Sequence, residues 1–309
     1  MDIQTLKARL ELPLIAAPMF LVSGTKLVIE CCKAGVVGTF PALNGRTSED
    51  FEQMLIEIQR ELQRHRDETG KEPAPYGVNI IVNRTNPRVM ADLALCIKYQ
   101  APLIITSLGA VKDLVDAVHS YGGLVFHDVI KKRHAEKAAE AGVDGIIAVA
   151  AGAGGHAGTA SPFALIKEIK QVFNGMVILA GGLSEGADIA AAQVMGADLA
   201  YMGTRFIATQ ESLASPEYKA LLVSTTIDDI MYTDAVSGVP ANFIRQSIQA
   251  AGIDLNQKKE EDFSELSTAQ SKAWKDIWSA GHGTSAIQEI LPTAELIQHL
   301  KQGYKDRIR

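Results

Sequence analysis

Eight short apolar runs strung over residues 14–206, each followed by a helix-compatible stretch, predict an α/β chain folded as a (β/α)8 TIM barrel. The runs are apolar throughout rather than alternating, as the strands of a parallel sheet covered on both sides must be. Several of the intervening stretches close on a glycine just before the next run, as in AAEAGVDGI and AAQVMGADLA, which is a common helix stop. A doubly wound sheet would end at about five or six strands and reverse direction. Eight consecutive units close on themselves instead.

In chain order, the first run is 14–19 (LIAAPM), and an amphipathic stretch carries Cys31 and Cys32 up to Ala34 and Gly35. The second is 36–41 (VVGTFP), after which the highly charged segment 49–72 reads as a long solvated helix and a loop. The third and fourth, 76–82 (YGVNIIV) and 103–109 (LIITSLG), flank an apolar helix containing Cys96. The fifth to eighth are 124–129 (LVFHDV), 145–152 (GIIAVAAG), 177–182 (VILAGG) and 199–206 (LAYMGTRF). Residues 208–283 are too many for one connection and include the polar segment 254–270. They are expected to form a mostly helical C-terminal insertion over the barrel mouth, followed by a final helix at 293–301. The barrel then comprises residues 1–207 and 284–309, and the insertion 208–283.

Composition narrows the function. The 309 residues are 47% hydrophobic and 21% charged with a net charge of −6, which argues against a nucleic-acid partner. No apolar run approaches the ~20 residues of a membrane span. The first ten residues, MDIQTLKARL, carry charge where a signal peptide is apolar. Cys31, Cys32 and Cys96 suit reduced core positions, and the expected compartment is the cytoplasm. Without an HExxH or paired CxxC motif, no metal is expected. Trp274 and Trp278 serve core packing or the subunit contact of a homodimer, and packing is the expected use. Asp228 and Asp229 read as helix-capping residues.

A barrel of this kind works at the C-terminal ends of its strands. There the chain delivers Ala17-Pro18-Met19, Asn79, Ser107-Leu108-Gly109, His127-Asp128, the loop Gly152–Thr159, Ala180-Gly181-Gly182 and Met202-Gly203-Thr204. The glycines after the seventh and eighth runs suit a phosphate: their N–H groups can approach an anion, the next helix adds positive potential, and Thr204 adds a hydroxyl. The alternative is that Gly181, Gly182 and Gly203 only make tight turns. In the segment 152–158 four glycines surround His156, so backbone can approach a flat ligand while one imidazole projects from the loop. His156 is then catalytic or substrate-binding, or else a turn residue. His127 either faces ligand or packs at its strand end. His282 lies in a second glycine loop, Ser279–Thr284, that can fold over the site. His65, His119, His134 and His299 read as exposed helix residues.

The ordered segments Pro18-Met19, Gly77-Val78-Asn79, 141–145 (AGVDG), 154–158 (GGHAG), Ala180-Gly181-Gly182 and 202–206 (MGTRF), ending with 280–283, resemble the nitronate monooxygenase family over nearly the whole chain. The resemblance implies noncovalently bound FMN. Ala17, Pro18 and Met19 would lie along its ring, with Asn79 hydrogen-bonded to the ring and Asp144 supporting the nearby loop. Gly181, Gly182, Gly203 and Thr204 would hold the phosphate, with Ala180, Gly155 and His127 also at the cofactor. His156 matches the family's active-site histidine, and Ser107 and His282 are candidate substrate contacts. The family often has Gln and Glu before Gly-Gly-His, where this chain has Ala-Ala-Gly-Ala. Such departures surround the substrate pocket rather than the cofactor.

The resemblance implies oxidation of alkyl nitronates by dioxygen to a carbonyl compound and nitrite. An NAD(P)H-dependent flavin reductase acting on a quinone or an enoyl thioester is the alternative within the fold. A non-catalytic barrel that binds a phosphorylated metabolite is the alternative outside enzymology.

Overall fold

The computed structural model describes residues 1–109, 111–255 and 276–308. All eight predicted runs form strands, and these close into one parallel barrel: β1 (Leu14–Ala16), β2 (Val37–Pro41), β3 (Tyr76–Ile81), β4 (Leu103–Ser107), β5 (Leu124–Val129), β6 (Gly145–Val149), β8 (Met176–Ala180) and β9 (Leu199–Met202). The closing pair is β1 with β9, in register Leu14 with Ala200 and Ala16 with Met202. The label β7 belongs to Gly155–His156, a two-residue strand outside the barrel. The eighth run stops earlier than expected, because Thr204–Ile207 turn into a short helix after Gly203.

Side chains along each strand alternate between two cores. Ile15, Val37, Leu103, Ile105, Leu124, Phe126, Ile147, Val149, Ile178, Ala180 and Leu199 fill the barrel together with Leu6 from the helix Ile3–Ala8. Their neighbours Ile104, Val125, Ile146, Ala148, Val177 and Leu179 face outward against the surrounding helices. The barrel is thus a packed core, and only its last inward-facing layer is free to carry polar groups.

The charged segment folds as the helix Ser48–Thr69, stopped at Gly70 in the left-handed conformation (φ 67°). Its capping box pairs Thr47 with Asp50, and Phe51, Leu55, Ile58 and Leu62 form the buried stripe. Cys31, Cys32 and Cys96 are free and buried. Burial pushes the Cys32 thiol up to about 12, so these thiols stay protonated and inert.

Residues 208–283 differ from the mostly helical expectation in their described part. They hold the helices Pro216–Ser224 and Arg245–Ala250, but also β10 (Ile230–Thr233) and β11 (Ala241–Ile244). These strands pair antiparallel, and β11 takes β7 as its other neighbour, so part of this segment reads as sheet grafted onto the glycine loop. The polar stretch 254–270 lies outside the described residues from 256 onward, as does Trp274. Trp278 packs as expected, stacked on Tyr218 with ring centroids 5.0 Å apart. Asp229 accepts from the Thr226 N–H, the capping role read for it. The last helix runs Thr293–Lys305. Among the described residues, no helix is long and apolar enough to cross a membrane.

Candidate active site

One cavity of about 1460 Å³ opens at the C-terminal ends of the barrel strands. This exceeds the ~300–1,000 Å³ usual for a small-molecule pocket. It has room for a cofactor and a substrate together. Its floor is the last inward-facing layer of the barrel. Counting in twos from the core residues of each strand places Ala17, Asn79, Ser107, Asp128, Val149, Ala180 and Tyr201 there, and all of them line the cavity.

Three floor residues form a directed chain. Asn79 Nδ2 donates to Ser107 Oγ at 2.8 Å, and also to the Ile105 carbonyl at 3.2 Å. Ser107 Oγ then donates to Asp128 Oδ2 at 2.7 Å. The Asn79 carbonyl oxygen is left to meet a ligand. Burial lifts the Asp128 carboxyl to about 6, although the Ser107 hydroxyl pulls it back toward ionisation.

His127, expected at the cofactor, occupies the outward register with Val125 and Val129. Its Nδ1 shares a 2.8 Å hydrogen bond with Thr106 Oγ1. The imidazole lines the cavity, as do His134 and Lys137 from the helix Lys132–Ala141. Burial depresses it to about 4, which keeps it neutral. The inward position belongs to Asp128, which the sequence reading passed over. The signal was present: Leu124, Phe126 and Asp128 share one parity, and His127 has the other. His134, read as exposed, also stands on this cavity wall.

His156 stands where the glycine loop meets the grafted sheet. It pairs with Ala241, and Gly155 pairs with Asn242, whose Nδ2 donates to the Ala153 carbonyl at 2.7 Å. A loop rich in glycine would be floppy alone; two backbone pairings and this amide hold the histidine in place. Its Nε2 lies 3.4 Å from Ser237 Oγ, and burial depresses the imidazole to about 4. His156 therefore faces the cavity neutral at physiological pH.

The expected glycine cradle lies beside this loop, joined to it by the hydrogen bond from Gly182 N–H to the Gly152 carbonyl. Ala180, Gly181, Gly182, Gly203 and Thr204 all line the cavity, as do Ala17, Pro18, Met19 and Gly155. Gly155 and Gly182 take positive φ (68° and 71°), and a Cβ at either would point into open space or lie 3.9 Å from the His282 Cβ. Side chains there would occupy the room that a ligand needs. Two donors expected for a phosphate are committed elsewhere. The Gly182 N–H is given to the Gly152 carbonyl at 3.2 Å. The start of the helix Gly186–Val194 is capped by the Asp188 carboxylate, which accepts from Ser184 and Glu185 N–H. The Thr204 hydroxyl accepts from Gly281 N–H at 2.9 Å and keeps its own proton to donate.

Two further expectations are corrected. Asp144 precedes β6 and so lies at the other end of the barrel, where its carboxylate accepts from Val125 N–H and pairs with His119 Nε2, both at 2.8 Å. It cannot reach the mouth. His282 is not among the cavity-lining residues. Its ring covers Gly152, where a Cβ would come within 2.9 Å of its Nδ1, and Gly152 is at φ 83°. The imidazole packs against the back of the loop 152–158.

The nitronate monooxygenase family model matches residues 3–303. The chain belongs to this family. It is therefore an oxidoreductase, from a family of flavoenzymes. The nitronate monooxygenase of Paraburkholderia phytofirmans is 26% identical over 96% of this chain and 93% of its own length. That of Neurospora crassa is 24% identical over 96% of this chain and 90% of its own. Among solved structures, a point mutant of FabK from Thermotoga maritima superposes with a TM-score of 0.81 at 25% identity, covering 100% of this chain and 97% of that one. The nitroalkane oxidase from Streptomyces ansochromogenes gives 0.82 at 24% identity, with 98% of each chain covered. These similarities bear out the barrel and the family read from the ordered motifs.

Proposed function

We propose that this nitronate monooxygenase family member oxidises alkyl nitronates and their parent nitroalkanes with FMN and dioxygen, giving a carbonyl compound and nitrite. The observation that carries the reading is a neutral histidine, His156, held by backbone pairing at the wall of a cavity large enough for cofactor and substrate. The donor set suits FMN. Gly181, Gly203 and Thr204 would take the phosphate, Ala17, Pro18 and Met19 would pack along the ring, and the Asn79 carbonyl oxygen would accept a ring N–H. When bound, FMN supplies the electron acceptor that dioxygen regenerates.

The protein's own contribution is positioning and proton control. Neutral His156 can donate a hydrogen bond to a nitro oxygen from one ring nitrogen. With the other it can accept the α-proton of a nitroalkane, the kind of transfer worth about 10²–10⁴ in rate. Ile277 and Trp278 from the segment after the barrel wall the cavity and limit water. Replacing His156 by Asn should leave FMN bound and lower turnover of propyl-2-nitronate about 100-fold or more. Unchanged kinetics in that variant would remove His156 from the mechanism.

The size of the cavity favours one second reading, reduction of a larger acceptor such as a quinone or an enoyl thioester at the expense of NAD(P)H. An anaerobic spectrum separates the two. Bleaching by propyl-2-nitronate with NADH inert supports the first, and bleaching by NADH with the nitronate inert supports the second.

A further inference from the structure

The mechanism above uses neither of the ionisable groups of the floor, Asp128 and Tyr201. Asp128 faces the barrel axis at the end of β5 and lines the cavity. Its hydrogen bond comes from Ser107, itself held by Asn79, so the direction of donation along the chain is fixed. Among the described residues no lysine, arginine or histidine forms an ion pair with it.

The other titratable groups around the cavity do not offset it. Across the floor, β9 contributes the Tyr201 phenol, which burial and then the Asp128 charge hold above its ordinary value. The neighbouring strands β4 and β6 offer Ser107 and Val149. His156 on the glycine loop and His127 at the end of β5 also line the cavity, both at about 4 and neutral. His134, depressed chiefly by burial, and Lys137 line it from the helix Lys132–Ala141. The remaining charged lining residues, Arg46, Glu217 and Asp276, belong to elements outside the barrel strands. The centre of the floor thus carries a carboxyl and no cation.

We propose that Asp128 sets the charge of the substrate: its carboxylate bars anions from the cavity floor, so a nitro compound enters as the neutral nitroalkane, or as a nitronate only together with one proton. That proton comes from solvent and resides on Asp128 Oδ1, the oxygen that Ser107 does not engage. Two like charges close together repel, and protonating the carboxyl removes one of them. Burial sets where this happens, near pH 6, whereas the two cavity histidines stay neutral well below it. The inference rests on the nitronate reading for its substrate and names the form in which that substrate is taken.

The test is calorimetric titration of the FMN-supplemented protein with nitrate, a small planar anion that does not itself titrate, between pH 5 and 8. If binding takes up one proton, the nitrate Kd rises about tenfold per pH unit above about 6 and levels off below it. In Asp128→Asn the Kd should be tight and flat over the whole range. Ser107→Ala removes a donor that favours the carboxylate, and should move the break to higher pH. A flat wild-type profile overturns the proposal, as does a slope that persists in Asp128→Asn. Should Asp128→Asn fail to fold, a break that Ser107→Ala leaves unmoved overturns it equally. Nitrate binding is independent of turnover. A protein that shows the break yet leaves propyl-2-nitronate and 2-nitropropane unreacted refutes the nitronate reading and keeps the role of Asp128.

Discussion

The cavity histidines should make this protein sensitive to mild acid, and His127 is the cleanest place to measure it. Its side chain is buried and hydrogen-bonded to Thr106, and desolvation lowers it to about 4 in the folded state. In the unfolded chain a histidine titrates near ~6.5. A depressed folded value means that stability is fully present above pH 6.5 and is lost as pH falls toward 4. Between pH 8 and pH 5 the unfolded state gains its proton almost completely while folded His127 does not, a cost of about 2 kcal/mol. His156, lowered to the same value, adds a similar cost of about 2 kcal/mol. Asp128 acts in the opposite sense. Its folded value is raised to about 6, so the folded state takes up the proton first and gains about 1 kcal/mol at pH 5. The three together predict a loss of about 3 kcal/mol, a large part of the ~5–15 kcal/mol that holds a typical domain. His127→Gln keeps a neutral hydrogen-bonding side chain and should reduce this acid loss to about 1 kcal/mol. Urea unfolding at the two pH values, on wild type and variant, measures the difference directly. Equal losses in the two proteins would show that His127 is not held neutral and would refute the reasoning.

Two other substitutions follow from the geometry. Gly182→Val places a branched side chain at φ 71° pointing into the cavity, so the protein should lose about 1–3 kcal/mol of stability and at least tenfold in FMN affinity, read from flavin content and fluorescence titration. Asp144→Asn should cost about 1–3 kcal/mol by weakening the Val125 and His119 contacts, and should leave FMN affinity untouched, since that carboxylate lies at the far end of the barrel.

The barrel was legible because each strand is a continuous apolar run, and several follow a helix that stops on a glycine, as at Gly70 and Gly142. What was not legible depends on distant partners. Gly155 and His156 become a strand only because Ala241 and Asn242 pair with them, and nothing local in GGHAG announces that edge. The same pairing explains why the segment after the barrel is less helical than its composition suggests. The β-branched and aromatic residues of 230–233 (IMYT) and 241–244 (ANFI) already suit strands, and the edge offered by the glycine loop gives them a place to pair. His156 was readable because glycines on both sides leave it the only side chain able to reach a ligand. His127 lines the cavity from the outward register, and its neighbour Asp128 was the position not singled out. The pleat sends consecutive residues to opposite faces, and the inward one is Asp128. Asp144 was carried to the mouth by family likeness alone, whereas its place before β6 puts it at the opposite end.

The site is assembled around a single carbonyl. Gly152 O accepts the N–H of Gly182 at 3.2 Å and of His282 at 2.8 Å, joining the loops after β6 and β8 and the late loop 280–283. Gly281 adds its N–H to Thr204, whose hydroxyl lies on the cavity wall. Backbone groups can converge this closely only without side chains. A Cβ on Gly281 would come within 2.7 Å of Gly154 N, and one on Gly152 would strike the His282 ring. The glycines after the strands therefore do two jobs. Gly155 and Gly182 open space for a ligand, and Gly152, Gly154 and Gly281 lock three loops to one another. Because the late loop is tied to Gly152 and Thr204, the chain beyond the barrel cannot come away from the mouth without releasing both the glycine loop 152–158 and the wall that carries Thr204. Asp128 and Ser107 on the floor lie outside this knot, bonded to each other and to Asn79 instead.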